Sequence, residues 1–283
     1  MPVAAPRIHP TAIVDPSADL GAGVTVGPYA IIEGPVTLGP GCTIRARAHL
    51  LGPVTAGAGN DFGINCVIGE RAQHLLHADQ PGEVVIGDHN TFREAVTVHR
   101  GTPERGATRI GSHNFLMGSS HVAHDCTLGD HCIFAQGAVI GGHVTVADRA
   151  FLSGNTSVHQ HCRIGRLALL SASAVSTSDL PPYTITEGRN HLAGVNLVGM
   201  RRAGLSAVQI HAVRQAYRVL LQSRDLVRPS LLRIEKEWGH IDLVAEVVAF
   251  FRESKRGVCL TKARWHREVS GRTGVPCPPS AAS

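Results

Sequence analysis

Every sixth residue of this chain is apolar over more than half its length. Cut from Ile8, it reads IHPTAI, VDPSAD, LGAGVT, VGPYAI, IEGPVT, LGPGCT, and the phase continues to LSASAV at Leu170. Of the 28 first positions between Ile8 and Leu170, only His74, Gln80 and Glu104 are polar. A helix repeats its apolar face every three to four residues and a half-buried strand every two, so neither accounts for a period of six. A short strand plus a turn does. The first residue of each hexad points inward, and the fifth, usually small, fits a tight corner. The frequent glycine at the second position is expected to let the backbone turn without a Cβ clash. Three hexads, about eighteen residues, close one coil, and coils stack at roughly the 4.8 Å strand spacing. The fold class this defines is mainly β: a parallel β-helix.

The three polar first positions cluster at two breaks, near 74–85 and 99–109, where the phase resumes unchanged. Each break reads as a loop extruded from a coil, and loops on a rigid scaffold often carry function. The repeat fades at STSDLPPY (176–183). Helical patterning follows: Ser206 as an N-cap for AVQIHAVRQAYRVLLQS, then SLLRIEKEWGH after Pro229, then IDLVAEVVAFFRES. The organisation expected is a β-helix over 1–191, a helical domain over 192–261 and a poorly ordered tail over 262–283.

Five of the seven cysteines, Cys42, Cys66, Cys126, Cys132 and Cys162, hold the fifth position of their hexads. They read as small, buried, reduced thiols. An odd number without a CxxC argues against a disulfide or zinc framework. The formal charge of +5 and the pI near 9.0 suit an acidic partner. The basic residues are scattered and aromatics make up 4%, which argues against nucleic acid. MPVAAPRIHP carries no apolar run, and no window approaches the ~18 apolar residues of a membrane span. A soluble, cytoplasmic protein is expected.

The segment HVAHDC (121–126) interrupts this apolar regularity. One coil beyond His124 lies Gly142, beside His143, and one coil further lies Gln160, between His159 and His161. Stacking therefore gathers polar side chains into a column, with His121 near the same corner and His99 below. Three readings compete. The column could be a solvated polar strip. It could bind zinc, as β-helix proteins of the carbonic anhydrase type do; these use an H-x4-H pair, and no two histidines here stand five apart. It could perform general base catalysis. A neutral His124 would take a proton from a hydroxyl as it attacks an acyl carbonyl. Asp125 would fix the imidazole tautomer, and the backbone N–H of Gly142 would meet the developing oxyanion.

IHPTAIV, TVHRGT, HVAHDC, GGHV, SVHQ, DLPPY and GVNLVGMRR, in this order, resemble the acyl-(acyl-carrier-protein)–UDP-N-acetylglucosamine O-acyltransferases of lipid A synthesis. The resemblance spans roughly residues 8 to 260. It implies a left-handed β-helix and a homotrimer with active sites between neighbouring subunits. It implies transfer of a 3-hydroxyacyl chain from acyl carrier protein to the 3-hydroxyl of UDP-N-acetylglucosamine, the first step of lipid A biosynthesis. The family's general base matches His124, its supporting histidines match His121, His143 and His159 with Gln160 beside the last, and its oxyanion donor matches Gly142. Asn196 and Arg202 match residues associated with the nucleotide and its phosphates, and Arg201 extends the basic pair. No cofactor and no metal are implied. Near the acceptor sugar the family carries an acidic residue and a lysine where this chain has His74 and Leu76, and a glutamate where it has Val198. These departures keep open a related acyltransferase acting on another nucleotide-sugar or amino-sugar acceptor.

Overall fold

The computed structural model describes residues 5–76, 82–222 and 226–261. Three parallel sheets wrap around one core in a triangular prism. Face one holds strands such as Thr25–Val26 and Thr43–Ile44, face two Ile31–Glu33 and His49–Leu51, and face three Val36–Leu38 and Val54–Ala56. The chain visits the faces in that order, one hexad to each, and then climbs to the next coil.

Register explains why the hexad phase outlives the loops. Val26 pairs with Ile44, eighteen residues on, whereas Phe62 pairs with Phe92 and Phe92 with Leu116. The first extrusion thus adds twelve residues and the second six, both whole numbers of hexads. Both loops end earlier than the sequence suggests, and the first also begins earlier. The first connects Val67–Glu70 to Glu83–Ile86 and the second Thr97–His99 to Ala107–Ile110. Residues 83–85 and 107–109, expected in loops, are strand, because they pair along face three with each other.

The first positions fill the core, with Phe62 and Phe92 stacked 5.3 Å apart and fully buried. Each such side chain contributes about 1.5–3 kcal/mol of transfer free energy. The five fifth-position cysteines are buried and free. Burial pushes the thiols of Cys66, Cys126 and Cys132 up to about 12, so they stay protonated and unreactive.

The role expected of the second-position glycine is corrected. The left-handed conformation falls on the fourth position, as at Asn65 (φ 57°), Asp125 (φ 60°) and His143 (φ 61°). The second position needs glycine for clearance: a Cβ on Gly63 would lie 2.5 Å from the backbone of the next coil.

The β-sheet runs further than the expected boundary at 192. His191–Val195 returns antiparallel on Thr184–Glu187, and helices begin with α1 (Leu197–Arg202). Three longer helices follow: α2 (Ala207–Gln222), α3 (Val227–Trp238) and α4 (Asp242–Glu253). Ser206 does cap α2: its Oγ accepts from Gln209 N–H, and the Gln209 side chain accepts from Ser206 N–H. Helix α3 starts before Pro229, which sits in the first turn where its missing N–H costs nothing. Arg166 on the β-helix binds Glu246 on α4 at 2.7 Å and ties the helical layer down. The tail over 262–283 lies outside the described residues.

Candidate active site

Both loops leave from the edge where face two turns into face three, and His124 stands at that same edge, between His121–Val122 and Thr127–Leu128. Insertion and histidine column therefore converge. His124 is 6% exposed and Asp125 is fully buried. The Asp125 carboxylate lies 2.7 Å from His124 Nδ1. It also accepts from Thr102 N–H at 2.8 Å and from Thr102 Oγ1 at 2.9 Å. Asp125 N–H donates to Thr108 Oγ1 at 2.8 Å. Burial raises the Asp125 carboxyl, but the hydrogen bonds from His124 and Thr102 outweigh it and hold the group below its usual range, so it is an anion at neutral pH. An anionic partner on Nδ1 fixes the proton there and leaves Nε2 with its lone pair.

Gly142 faces that nitrogen. A Cβ built on it would lie 2.7 Å from His124 Nε2 and 2.6 Å from Cε1, so only glycine fits beside the ring. Its carbonyl accepts from His161 N–H, while its own N–H has no hydrogen-bond partner among the described residues. A base and a free backbone donor thus share one point.

Further histidines surround them. His74, from the first loop, meets the His124 ring edge-on at 5.5 Å. His143 meets it edge-on at 5.1 Å, lies 3.6 Å from Asp125 and stacks on His161 at 4.4 Å. His121 bonds Thr97 Oγ1 through Nδ1 at 2.7 Å and packs edge-on against His99. Burial, then the neighbouring His99 and His124, lower His121 to about 4, so it is neutral at physiological pH. Burial likewise lowers His143, against the pull of Asp125. His159 and Gln160 lie exposed a coil above, with His159 Nδ1 3.2 Å from Arg256.

His124, Asp125 and His143 present ligand atoms within 4.8 Å of one another, a spacing that could hold a cation. The carboxylate is however already engaged by Thr102 and His124, which suits a hydrogen-bond hub better than an open ligand set.

The remaining expected residues stand elsewhere. Arg202, Val198 and Asn196 line a separate apolar groove of about 670 Å³ with Ile133, Phe151 and Leu169 on face one. Face one is the face opposite the His124 edge, so the two halves do not meet within one chain. The Asn196 side chain is used internally: it caps α1 by accepting from Gly199 N–H and donates to Leu167 O, both at 2.9 Å. Arg201 is exposed beside it. Sequence reasoning missed Thr102 and Thr108. The TVHRGT motif contains Thr102, but stacking arithmetic could not reach it across the six-residue insertion.

A β-helix of hexapeptides with a histidine–aspartate dyad at an open edge defines a transferase of the hexapeptide class. The family model for the bacterial transferase hexapeptide (six repeats) matches residues 17–52 and 107–142, and that for domain 2 of UDP-N-acetylglucosamine O-acyltransferase matches 179–259. Proteins named acyl-(acyl-carrier-protein)–UDP-N-acetylglucosamine O-acyltransferase are similar over nearly their whole length. The one from Anaeromyxobacter sp. (strain Fw109-5) is 45% identical over 89% of this chain and 98% of its own. That from Alkalilimnicola ehrlichii is 47% identical over the same shares. Among solved structures, the UDP-N-acetylglucosamine acyltransferase of Francisella novicida superposes with a TM-score of 0.88 at 27% identity, covering 91% of this chain and 95% of that one. That of Bacteroides fragilis gives 0.86 at 34%, covering 88% and 98%. The chain belongs to the acyl-(acyl-carrier-protein)–UDP-N-acetylglucosamine O-acyltransferase family, and it is an acyltransferase with the left-handed β-helix of that family. No helix among the described residues is long and apolar enough to cross a membrane.

Proposed function

We propose that His124 is the general base that activates the 3-hydroxyl of UDP-N-acetylglucosamine for attack on a 3-hydroxyacyl thioester of acyl carrier protein, the opening reaction of lipid A synthesis in the cytoplasm. The observation that carries this is the buried dyad: Asp125 fixes His124 through Nδ1, and Nε2 stands beside the Gly142 backbone. Nε2 takes the hydroxyl proton as the oxygen bonds to the thioester carbonyl carbon. The carbonyl oxygen gains negative charge and is met by the Gly142 N–H. The intermediate then expels the thiolate, and the imidazolium returns its proton to the sulfur. Charge on the imidazolium is balanced by Asp125, which stays ionised throughout. The neutral His121 and His143 line the acceptor side, with His74 closing it from the first loop and His159 and Gln160 above.

The separation of the two halves supports a homotrimer. The groove with Asn196 and Arg202 faces away from its own base, so it would serve the His124 edge of a neighbour, with Arg202 and the adjacent exposed Arg201 on the nucleotide phosphates. The altered acceptor positions favour one second reading. His74 and the exposed Leu76 and Val198 would suit a different nucleotide-sugar or amino-sugar acceptor. Incubation with 3-hydroxyacyl carrier protein and UDP-N-acetylglucosamine, read by mass spectrometry, separates them. An O-acylated nucleotide sugar that disappears in His124→Ala supports the first reading. Its absence, with acylation of an amino sugar instead, supports the second.

A further inference from the structure

We propose a second phosphate-binding subsite on the face-three side of the catalytic edge, built from Arg105, His161, Lys255 and Arg256. These residues line a cavity of about 530 Å³ with His143, Thr145, Arg163, Asp179 and Glu253. It lies at the seam where the second loop, the β-helix edge and the chain leaving α4 come together.

Four cations face two carboxylates there, and the carboxylates are committed to one of them. Arg163 binds Asp179 at 3.1 Å and Glu253 at 3.1 Å, and its remaining nitrogen donates to Phe250 O. Among the described residues, Arg105 and Lys255 have no ion-pair partner, and the Arg256 side chain bonds His159 Nδ1 at 3.2 Å and no carboxylate. Arg105, Lys255 and Arg256 therefore make no ion pair among the described residues, and the four cations and two carboxylates leave the cavity wall a net charge of about +2. Burial comes first in lowering His143 and His161, and the nearby Arg105 contributes to both, a sign of the positive field at the cavity wall. His161 stacks on His143, which itself reaches Asp125, so the cavity opens one ring away from the catalytic dyad.

A compact polyanion matches this arrangement: arginines supply paired donors to phosphate oxygens, and lysine a point charge. The inference rests on the acyl-transfer reading above, which brings two phosphate esters to one site: the diphosphate of the nucleotide sugar and the phosphodiester of the carrier's pantetheine arm. Arg202 of the face-one groove, with the adjacent Arg201, can serve only one of them.

The test is direct binding by calorimetry to the full-length protein, which needs no turnover. The ligands are 3-hydroxyacyl-phosphopantetheine, the same thioester without its phosphate, and UDP-N-acetylglucosamine. Arg105→Ala/Arg256→Ala should weaken one phosphorylated ligand by about 10–100-fold, the range of lost charge-assisted hydrogen bonds. The ligand weakened identifies the phosphate held. Arg105→Lys/Arg256→Lys should retain most of the affinity, which also shows that the fold is intact. The subsite is refuted if both phosphorylated ligands bind the alanine variant as they bind the wild type. It is equally refuted if the thioester lacking phosphate weakens as much as the phosphorylated one, or if the lysine variant is as weak as the alanine one. Wild-type protein that binds neither phosphorylated ligand would remove the acyl-transfer reading and the subsite with it.

Discussion

Asp125→Asn changes one oxygen for an NH2 group and leaves the volume of the buried site untouched. Asp125 accepts at 2.7 Å from His124, at 2.8 Å from Thr102 N–H and at 2.9 Å from the Thr102 hydroxyl. An amide has only one acceptor oxygen. If that oxygen keeps the Thr102 N–H, the NH2 group turns to His124 and donates to Nδ1. The imidazole proton then moves to Nε2, and the base has no lone pair toward the hydroxyl. If the amide flips, its NH2 opposes the Thr102 N–H at hydrogen-bond distance, a donor against a donor in a fully buried site. The loss of charge-assisted bonds, about 1.5–3 kcal/mol, is common to both arrangements, and the flip adds an unsatisfied buried donor at about 1–3 kcal/mol, so the first arrangement wins. A wrong-tautomer histidine in a serine-protease triad loses about 10⁴ in kcat, and a site with the same logic should lose about 10²–10⁴. Steady-state kcat at saturating acyl carrier protein and nucleotide sugar measures it, with circular dichroism to confirm the fold. A folded variant that keeps more than about a tenth of kcat would refute the role given to the dyad.

Three further outcomes follow from the geometry. Gly142→Ala places a methyl group 2.7 Å from His124 Nε2, so the ring must move; kcat should fall at least about tenfold with little change in thermal midpoint, and unchanged kcat would show that the ring does not work from this position. Stability should fall as pH drops from 6.5 toward 4: unfolded His121 takes a proton near 6.5 and the folded residue only near 4, so the unfolded state binds more protons in that window. Urea midpoints at about pH 7 and pH 5 test the sign, and a higher midpoint at the lower pH contradicts it. Arg202→Ala should raise KM for the nucleotide sugar by about 10-fold or more and leave KM for acyl carrier protein within about twofold; equal changes would misplace the phosphate assignment.

The β-helix was legible because the first positions of successive coils fill the core, and a buried position tolerates few residue types. The His124, Gly142 and Gln160 column was legible for the same reason: coils without insertions stack at a constant interval. Thr102 was not, because it reaches Asp125 from within an insertion, where the interval no longer applies. The loop exits were misjudged by a few residues because GEVV and GATR look like loop until pairing along face three is seen. The helical start at 192 was early because His191–Val195 owes its extended form to Thr184–Glu187, not to its own propensity. The division between the His124 edge and the groove on the opposite face depends on the prism's shape and on no local motif; in the sequence only the family resemblance implied it, as sites between neighbouring subunits.

That division gives the most direct test of the account. His124→Ala subunits and Arg202→Ala subunits are mixed, allowed to reassemble and assayed at a nucleotide-sugar concentration at which each parent is nearly inactive. If the base of one subunit works with the groove of its neighbour, each mixed trimer rebuilds one wild-type site of three, and because about a quarter of the trimers stay homomeric at equal mixing, activity should recover to about a quarter of the wild-type value. Mixed trimers that form but stay as inactive as their parents would contradict a site shared between subunits.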